Sequence, residues 1–397
     1  MSVNRLALSA LLVESAAGTN SGAPIRAHLD GRELMTAGRM HRILPALRRR
    51  VLGLPEAADW LRTLDAVRHQ QLMRQMQAGN DLRHVAQGFA DAGILWAVSK
   101  GPVLSDAVWP HADMREFTDV DVFVHPAHFA AALTVLEASG FSLVDRNWPE
   151  IRRLARAEVA LAGPSGLPLD LHWDISVTPR ARSTFHIDLP TMLSRTRHLA
   201  LGSGVTVPVF DPTDLLLHVA FHAAQNGANR LMWIADVFHC AQSVAIDWPR
   251  LTDDARRARI ATPVAMVIER AERTFGASFA LTQRLRRCAS ASPSGLTARY
   301  RETSHPFPGL PHDRAISGLE FSSARDSTIA SLGSAFWQWA DVRRIEARER
   351  RKGAGGNPLD ENIPDASARR GYLHDLLVAT PAASQSLSPL RATGPSA

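Results

Sequence analysis

The sequence predicts an α+β protein in which a small mixed β-sheet core is flanked by N- and C-terminal helical regions. Apolar residues recur at three- and four-residue steps before residue 93 and again after residue 211, which is typical of amphipathic helices. Between these regions, short apolar or alternating runs are separated by glycine and proline, which is typical of strands. We expect a poorly ordered N-terminus (1–33), a helical region (34–93), the α/β core (94–210), a second helical region (211–352) and a mostly flexible tail (353–397).

The first helical region follows a stretch rich in glycine, serine and alanine, so residues 1–30 are expected to be loosely ordered. Trp60, Leu64 and Val67 then mark one apolar helix face. Asn80 or Asp81 is expected to cap a further helix, and Gly93 to end it.

The core is predicted to begin with a buried strand at Ile94–Ser99, followed by a helix. Alternation predicts a second strand at Asp119–Val124, and Pro126 is expected to open the next helix. The other predicted strands are Phe141–Val144 and a hairpin of Leu154–Ala162 and Leu167–Ile175, closed by residues 163–166.

The second helical region contains the clearest helical patterns after the core. The predicted helices are Asp214–Ala224, Arg230–Ser243, Arg250–Phe275 and a charged one at Ile329–Arg351, with a long connection at residues 290–315. The last residues, 379–397, are rich in serine, proline and alanine, which predicts disorder.

Composition and charge exclude several classes of protein. A chain with 45% apolar and 21% charged residues is neither mainly disordered, nor a coiled coil, nor collagen-like. A net charge of +6 over 397 residues is too mild for a dedicated nucleic-acid binder. The arginines within residues 343–351 alternate with acidic residues, which favours a solvated helix face over an RNA-binding patch.

The two cysteines, Cys240 and Cys288, cannot form a disulfide framework, which indicates a reducing compartment. The apolar run Leu6–Val13 is too short to cross a bilayer and lacks a small-residue cleavage site after it. We therefore expect a cytoplasmic protein without a membrane partner.

Two carboxylates stand at the start of the second predicted strand. Period-two geometry sends Asp119 and Asp121 to one face and the neighbouring valines to the other. Close like charges repel unless a cation lies between them, and a hard divalent ion suits carboxylate oxygens. Most Asp-x-Asp pairs are surface pairs or turn formers, so the spacing alone leaves both interpretations open.

A third carboxylate strengthens the metal interpretation. In the strand Leu167–Ile175, Asp170, His172 and Asp174 share one face. If this strand lies beside the strand Asp119–Val124, Asp170 joins Asp119 and Asp121 around Mg²⁺ or Mn²⁺. Such ions orient a triphosphate, activate a hydroxyl and stabilise leaving pyrophosphate, which is the chemistry of nucleotidyl transfer.

The turn after the first core strand is the candidate phosphate cradle. Ser99, Lys100 and Gly101 precede a predicted helix, and Gly101 permits close backbone approach. A plain strand-to-helix turn with a solvated lysine explains the pattern equally well. Arg115 is a candidate phosphate clamp or a neutraliser of the acidic cluster, with a surface salt bridge as the alternative.

Five segments together resemble the uncharacterised nucleotidyltransferase family of the polymerase-β-like nucleotidyltransferase superfamily, over roughly residues 60–245. They are the strand ending in Lys-Gly (95–101), MREFTDVDVFV (114–124), the helix ending in Gly-Phe (129–141), LDLHW (169–173) and DPTDLLLHVAFHAAQNGANRLMWIAD (211–236). The resemblance implies a mixed sheet with flanking helices and a metal site on the sheet. Asp119 and Asp121 match the family's Asp-x-Asp pair, and Asp170 matches the Asp before His-Trp. Lys100-Gly101 stands where the superfamily usually has Gly-Ser. The resemblance therefore does not imply that the triphosphate is bound in the way usual for the superfamily.

Three histidines have weaker signals. His218 and His222 lie four residues apart on one helix face, without the Glu that a His-Glu-x-x-His zinc site would have. A place in the core, or hydrogen bonds to residues that themselves contact a ligand, explains these two histidines best, with substrate contact as the alternative. His172 is expected to orient Asp170 or to be a satisfied buried histidine. Trp233 is predicted to be core, and Asp236 to be a structural partner of Arg230.

The preferred hypothesis is a metal-dependent enzyme that moves a nucleoside monophosphate from a nucleoside triphosphate to an unknown acceptor, with Asp170 as a candidate proton acceptor. The resemblance favours peptide, protein, sugar or small-molecule acceptors over nucleic acid, although a toxin-like enzyme that modifies protein or tRNA would use the same carboxylates. The alternative is a catalytically inactive nucleotide- or peptide-binding module with the same fold.

Overall fold

The computed structural model describes residues 3–19, 29–304, 307–308, 314–336, 357–363 and 365–379. The helices are α1 (Val3–Ala17), α2 (Gly31–His41), α3 (Leu44–Val51), α4 (Ala58–Asp91), α5 (Gly101–Ala107), α6 (Phe129–Ala138), α7 (Trp148–Leu154), α8 (Pro179–Thr184), α9 (Leu189–Ser194), α10 (Pro212–Gln225), α11 (Leu231–Ala241), α12 (Trp248–Arg257), α13 (Ala261–Phe275), α14 (Gln283–Ala291), α15 (Pro293–Ser304), α16 (Arg314–Ser322), α17 (328–336) and α18 (Ala366–Ala379). The strands are β1 (Trp96–Ser99), β2 (Val120–Val124), β3 (Ser142–Leu143), β4 (Glu158–Ala162), β5 (Pro168–His172), β6 (Arg197–Ala200) and β7 (Thr206–Val209).

The predicted α+β class is confirmed by a seven-stranded mixed sheet flanked by helices. The chain divides into two compact units, which interleave along the sequence. The first is drawn from Met1–Gln75, Lys100–Phe117 and Asp211–Ala354, and the second from Met76–Ser99, Thr118–Phe210 and Gly355–Ala397. Within the described residues, no helix has both the length and the apolar character needed to cross a bilayer.

The second unit contains the whole sheet, in the order β3-β4-β5-β2-β1-β7-β6. β2 runs parallel to β5 and β1 parallel to β7, while the other neighbours are antiparallel. Val122, Leu171 and Val159 come from three adjacent strands and are fully buried on one face. The predicted alternation of β2 and β5 is therefore correct, and its apolar half forms the core of this unit.

The first unit is helical. In its centre α10, α11 and α13 pack together, and Leu216, Ile234 and Ile268 are fully buried. Asp211 caps α10, because its carboxylate accepts the backbone N–H groups of Thr213 and Asp214. α10 and α11 match the predicted helices Asp214–Ala224 and Arg230–Ser243. The predicted single helix Arg250–Phe275 is wrong, because Arg259 with φ +59° divides it into α12 and α13.

One predicted helix start is wrong. Asn80 and Asp81 lie inside α4, which runs without a break to Asp91. The Asp81 carboxylate instead accepts the N–H of Ser165 at 3.1 Å, in the turn between β4 and β5. Gly93 follows the helix with φ +64°, as expected of a residue that ends one.

The predicted hairpin is present, but its first strand is shorter than expected. Trp148–Leu154 is the helix α7, because the Asn147 side chain caps it by accepting the N–H of Glu150 at 3.1 Å. The strand β4 then begins at Glu158 and pairs antiparallel with β5.

The ends of the chain contain more helix than composition predicted. α1 lies where loose order was expected, α15 lies in the predicted long connection, and α18 lies in the predicted tail. The β6–β7 hairpin was not predicted at all. Of the predicted charged helix, 328–336 is helical, while residues 337–351 with their arginines, and residues 380–397, lie outside the described residues.

Candidate functional site

Two parallel strands bring the predicted acidic residues to one sheet face. Asp121 of β2 lies opposite Asp170 of β5, and Phe123 lies opposite His172. Because side chains alternate along a strand, these four side chains share the face opposite the valine core. The convergence of residues about fifty positions apart, expected from the two sequence patterns, is therefore present.

The group that forms there has three candidate metal ligands. Asp121, Asp170 and His172 each offer one atom, and these atoms all lie within 4.8 Å of one another. Asp121 and His172 are buried, whereas Asp170 is partly exposed. Asp170 is therefore the member of the group that solvent reaches most readily.

His172 is held on three sides. Its Nε2 lies 3.2 Å from Asp121 Oδ1, and its ring stacks on Phe123 with centroids 4.6 Å apart. Its Nδ1 lies 3.5 Å from Glu158 Oε2, within ion-pair distance, and has no hydrogen-bond partner among the described residues. The imidazole is thus oriented, with one nitrogen still available for a bond.

The electrostatics of this group favour a cation. Burial raises the pKa of Asp170 to about 7; His172 opposes this, and the charges of Asp121, Glu158 and Asp119 add to it. Burial alone would lower the pKa of His172, but the bond with Asp121 and the neighbouring carboxylates outweigh it, so that the net shift is upward. The site holds more negative charge than one imidazolium can balance.

The residues fit a divalent metal ion. Two carboxylates and an imidazole are a donor set that suits Mn²⁺ and similar ions, and the carboxylates also suit Mg²⁺. The raised pKa of Asp170 is a feature that a bound cation would relieve, because a positive charge beside the carboxylate stabilises its ionised form.

Two further carboxylates surround the three ligands. Asp119, predicted as a ligand, lies just before β2, partly buried and outside the group of three, although its charge contributes to the pKa of Asp170. Glu158 was missed by the sequence analysis; it pairs with His172 across β4 and β5. In the sequence the polar Glu158 is followed by the apolar Val159. This change of polarity was the available signal that Glu158 lies on the face of the sheet opposite the core.

The predicted phosphate cradle has an unusual backbone. Ser99 is fully buried at the end of β1, and its Cα pairs with that of Asp121. The next residue, Lys100, has φ 53° and ψ −137°, and Gly101 has φ 31° at the start of α5. A lysine with these angles is strained, and such strain persists only where surrounding contacts impose it.

Arg115 is held by Asp236. Its Nε donates to Asp236 Oδ1 at 2.7 Å and its Nη2 to Oδ2 at 2.9 Å, while Nη1 donates to the Gly101 carbonyl at 3.3 Å. Arg115 is 4% exposed and Asp236 3% exposed. The salt bridge, expected at the surface, is therefore buried. The guanidinium of Arg115 binds Asp236 and the Gly101 carbonyl.

Asp236 has a different partner from the one predicted. It accepts from Arg115 and from Trp109 Nε1, the latter at 2.7 Å. Arg230 instead lies over the ring of Trp233, 4.7 Å from its centroid. Trp233, predicted to be core, is only partly buried.

His218 and His222 are not members of the group formed by Asp121, Asp170 and His172. Both lie on α10 of the first unit, with ring centroids 6.5 Å apart. His218 is buried, and His222 lies edge-on to Trp233 at 5.8 Å. Among the described residues they belong to no group of three candidate ligands.

Comparison with known proteins identifies the family of the chain. None of the curated proteins matches the chain. The family model described as "Uncharacterised nucleotidyltransferase" matches residues 27–276, which is more than half of the chain and includes every predicted site residue. The chain therefore belongs to the uncharacterised nucleotidyltransferase family.

Proposed function

We propose that the protein transfers a nucleoside monophosphate from a nucleoside triphosphate to an acceptor, with release of pyrophosphate, and that Mg²⁺ or Mn²⁺ supports the reaction. The observation that supports this most strongly is the group of Asp121, Asp170 and His172, with ligand atoms within 4.8 Å. Membership of a nucleotidyltransferase family supports the reaction class.

The protein's part in this reaction is mainly to position the metal ion and the reactants and to balance their charge. Asp121 and Asp170 would hold the metal, with Asp119 beside them, and His172, which itself lies against Glu158, would orient Asp121. When bound, the cation would supply charge stabilisation to the triphosphate and the leaving pyrophosphate. Asp170 is the candidate acceptor for the proton of the attacking hydroxyl, because it is the least buried of the three.

The nucleotide's phosphates are assigned to the turn of Ser99, Lys100 and Gly101. Lys100 supplies one of only two lysine charges in the chain, and its strained backbone is the kind of feature that clusters at ligand sites. We assign Arg115 an indirect role, because its guanidinium binds Asp236 and the Gly101 carbonyl. The acceptor is proposed to be a peptide, protein, sugar or small molecule.

The test uses the full chain with each of the four nucleoside triphosphates labelled at the α-phosphate, Mg²⁺ or Mn²⁺, and cell extract as the source of acceptor. We expect transfer of label and release of pyrophosphate by the wild type, and loss of both in Asp121→Asn and Asp170→Asn. Asp174→Asn is the matched control, because Asp174 follows the same strand but is not one of the three candidate ligands.

Two outcomes would contradict the proposal. Label transfer that is unchanged in both ligand variants would show that the acidic group is not the reaction centre. Calorimetric binding of a nucleotide without any transfer, with all four nucleoside triphosphates and both metal ions, would support the inactive binding module instead.

A further inference from the structure

A polar cavity lies in the first unit, where three helices begin. It measures about 300 Å³. Thr262 at the start of α13, Ser292 just before α15 and Thr328 at the start of α17 all line it. None of these residues belongs to the proposed transfer site.

Three helix starts around one cavity give it a positive potential. The first backbone N–H groups of a helix have no partner within the helix, and the helix dipole adds partial positive charge there. α13 has no side-chain cap from the preceding Ile260. One of its N–H groups, that of Thr262, donates to Asp326 Oδ1 at 2.7 Å. The carboxylate of Asp326 therefore satisfies one of the donors at this helix start.

Ser292 is the independent sign of a missing ligand. It is 6% exposed, and its Oγ has no hydrogen-bond partner among the described residues. Its backbone is satisfied, since its N–H donates to the Ala289 carbonyl and its own carbonyl accepts the N–H of Leu296. Only the hydroxyl remains, and a buried hydroxyl without a partner costs free energy. A ligand in the cavity would complete it.

Two guanidinium groups line the same space. Arg256, at the end of α12, is exposed and forms no ion pair with any residue that the structure describes. Arg325 is held at the wall, because its Nη1 donates to the carbonyls of Ser322 and Ala324 at 2.9 and 2.8 Å. Against these two positive charges the lining has one carboxylate, that of Asp326. The net charge is therefore positive.

We propose that this cavity binds a phosphate-bearing small molecule. Donors reach the cavity from several directions, which suits the three oxygens of a tetrahedral phosphate better than a planar carboxylate. Arg256, the Ser292 hydroxyl and the backbone N–H of Ala261 would hold the phosphate, because the N–H of Thr262 already binds Asp326 and residue 263 is a proline. The volume exceeds that of a phosphate alone, so the cavity also has room for an organic part, to which Asp326 offers an acceptor. This site is separate from the proposed transfer reaction and does not depend on it.

A native thiol reports on the cavity. Cys288 lines it and is partly exposed, whereas Cys240 is buried. Burial raises the pKa of Cys288, with Asp326 adding to the shift and Arg256 opposing it, so that the thiol lies within the electrostatic reach of both. Alkylation of Cys288 by iodoacetamide in the intact protein, followed by peptide mass spectrometry, therefore measures occupancy, with Cys240 as an internal control.

The probe is inorganic phosphate, with chloride keeping the ionic strength constant. We expect phosphate to slow alkylation of Cys288 in the wild type, with a half-maximal concentration in the millimolar range. Arg256→Gln should raise that concentration by about ten-fold, the usual effect of losing one charge-assisted hydrogen bond, and Ser292→Ala should raise it several-fold. Arg257→Gln is the matched control, since Arg257 is the neighbouring exposed arginine and pairs with Asp254; it should leave the concentration unchanged.

Three results would overturn the proposal. The first is no protection of Cys288 by phosphate up to about 50 mM, which is well above the expected affinity. The second is equal protection by acetate, which would show that the cavity does not recognise phosphate. The third is an equal rise of the half-maximal phosphate concentration in Arg256→Gln and Arg257→Gln, which would show that both variants act only through the general surface charge.

Discussion

Asp236 binds Arg115 with both carboxylate oxygens, at 2.7 and 2.9 Å, although 121 positions separate the two residues. The third donor of this guanidinium reaches the carbonyl of Gly101. Trp109 completes the group by donating its indole N–H to Asp236. This buried ion pair therefore holds the residue that follows the strained Lys100, and it links the helix α11 to the proposed phosphate turn.

Asp236→Asn is expected to loosen that turn. A buried pair that loses one charge leaves the other uncompensated, so stability should fall by about 3 to 5 kcal/mol. If the pair positions Gly101, the Kd for Mn²⁺-nucleotide should also rise by about ten-fold, a change of roughly 1.4 kcal/mol. Chemical denaturation and calorimetry measure the two effects separately.

Glu302→Gln is the matched control for that variant. Arg270 forms an ion pair with Glu302 and donates to the Ala228 carbonyl at 2.8 Å, so its arrangement resembles that of Arg115. This change should lower stability and leave the nucleotide Kd unaltered. Equal Kd values in the two variants would show that Asp236 is structural only.

Asp170→Asn should stabilise the metal-free protein. The folded pKa of about 7 lies above the ordinary aspartate pKa of 3.8, so the carboxylate form is disfavoured in the folded state and stability falls as pH rises between these values. Removing the charge should therefore add about 1 to 4 kcal/mol at pH 8. The same variant should lose the rise in melting temperature that Mn²⁺ produces in the wild type. If Asp170→Asn is instead clearly less stable than the wild type at pH 8 without metal, burial of the charge is not the origin of the raised pKa of Asp170.

Metal binding should strengthen with pH. Below about pH 7 the Asp170 carboxyl is protonated, and a metal ion must displace that proton. Each unit of decrease below pH 7 should then weaken the apparent Mn²⁺ affinity by about ten-fold through this group alone. The raised pKa of His172 adds a second proton to be released. Calorimetry in buffers of different ionisation enthalpy would count these protons, and a Kd that is constant from pH 6 to 8 would be inconsistent with the site.

Lys100→Gly separates backbone strain from charge. Glycine adopts positive φ without the steric cost that lysine has there, so stability should rise by about 1 kcal/mol. The loss of the ammonium group should nevertheless weaken nucleotide binding. Arg42→Gly is the control, because Arg42 also has positive φ, at the end of α2; it should stabilise the protein without affecting the nucleotide. Unchanged nucleotide affinity in Lys100→Gly would remove the turn from the proposed site.

Much of the sheet could be predicted from local sequence because strands and helices impose different spacings on apolar residues. The pattern at Val120–Val124 assigned both the strand and the face of Asp121, and the same pattern assigned Asp170 and His172. Local pattern failed at Asp81, where a good capping residue lies inside a longer helix and binds a turn 84 positions away. Propensity at that position was overruled by a tertiary contact.

Local patterns therefore establish the elements, the faces of their side chains and the family to which the chain belongs. The partners of the charged groups depend on the register of β2 against β5 and on helix packing, which bring Glu158 to His172 and Asp236 to Arg115. Only the folded chain decides these pairings, because burial makes an uncompensated charge costly and the nearest available partner is remote in sequence.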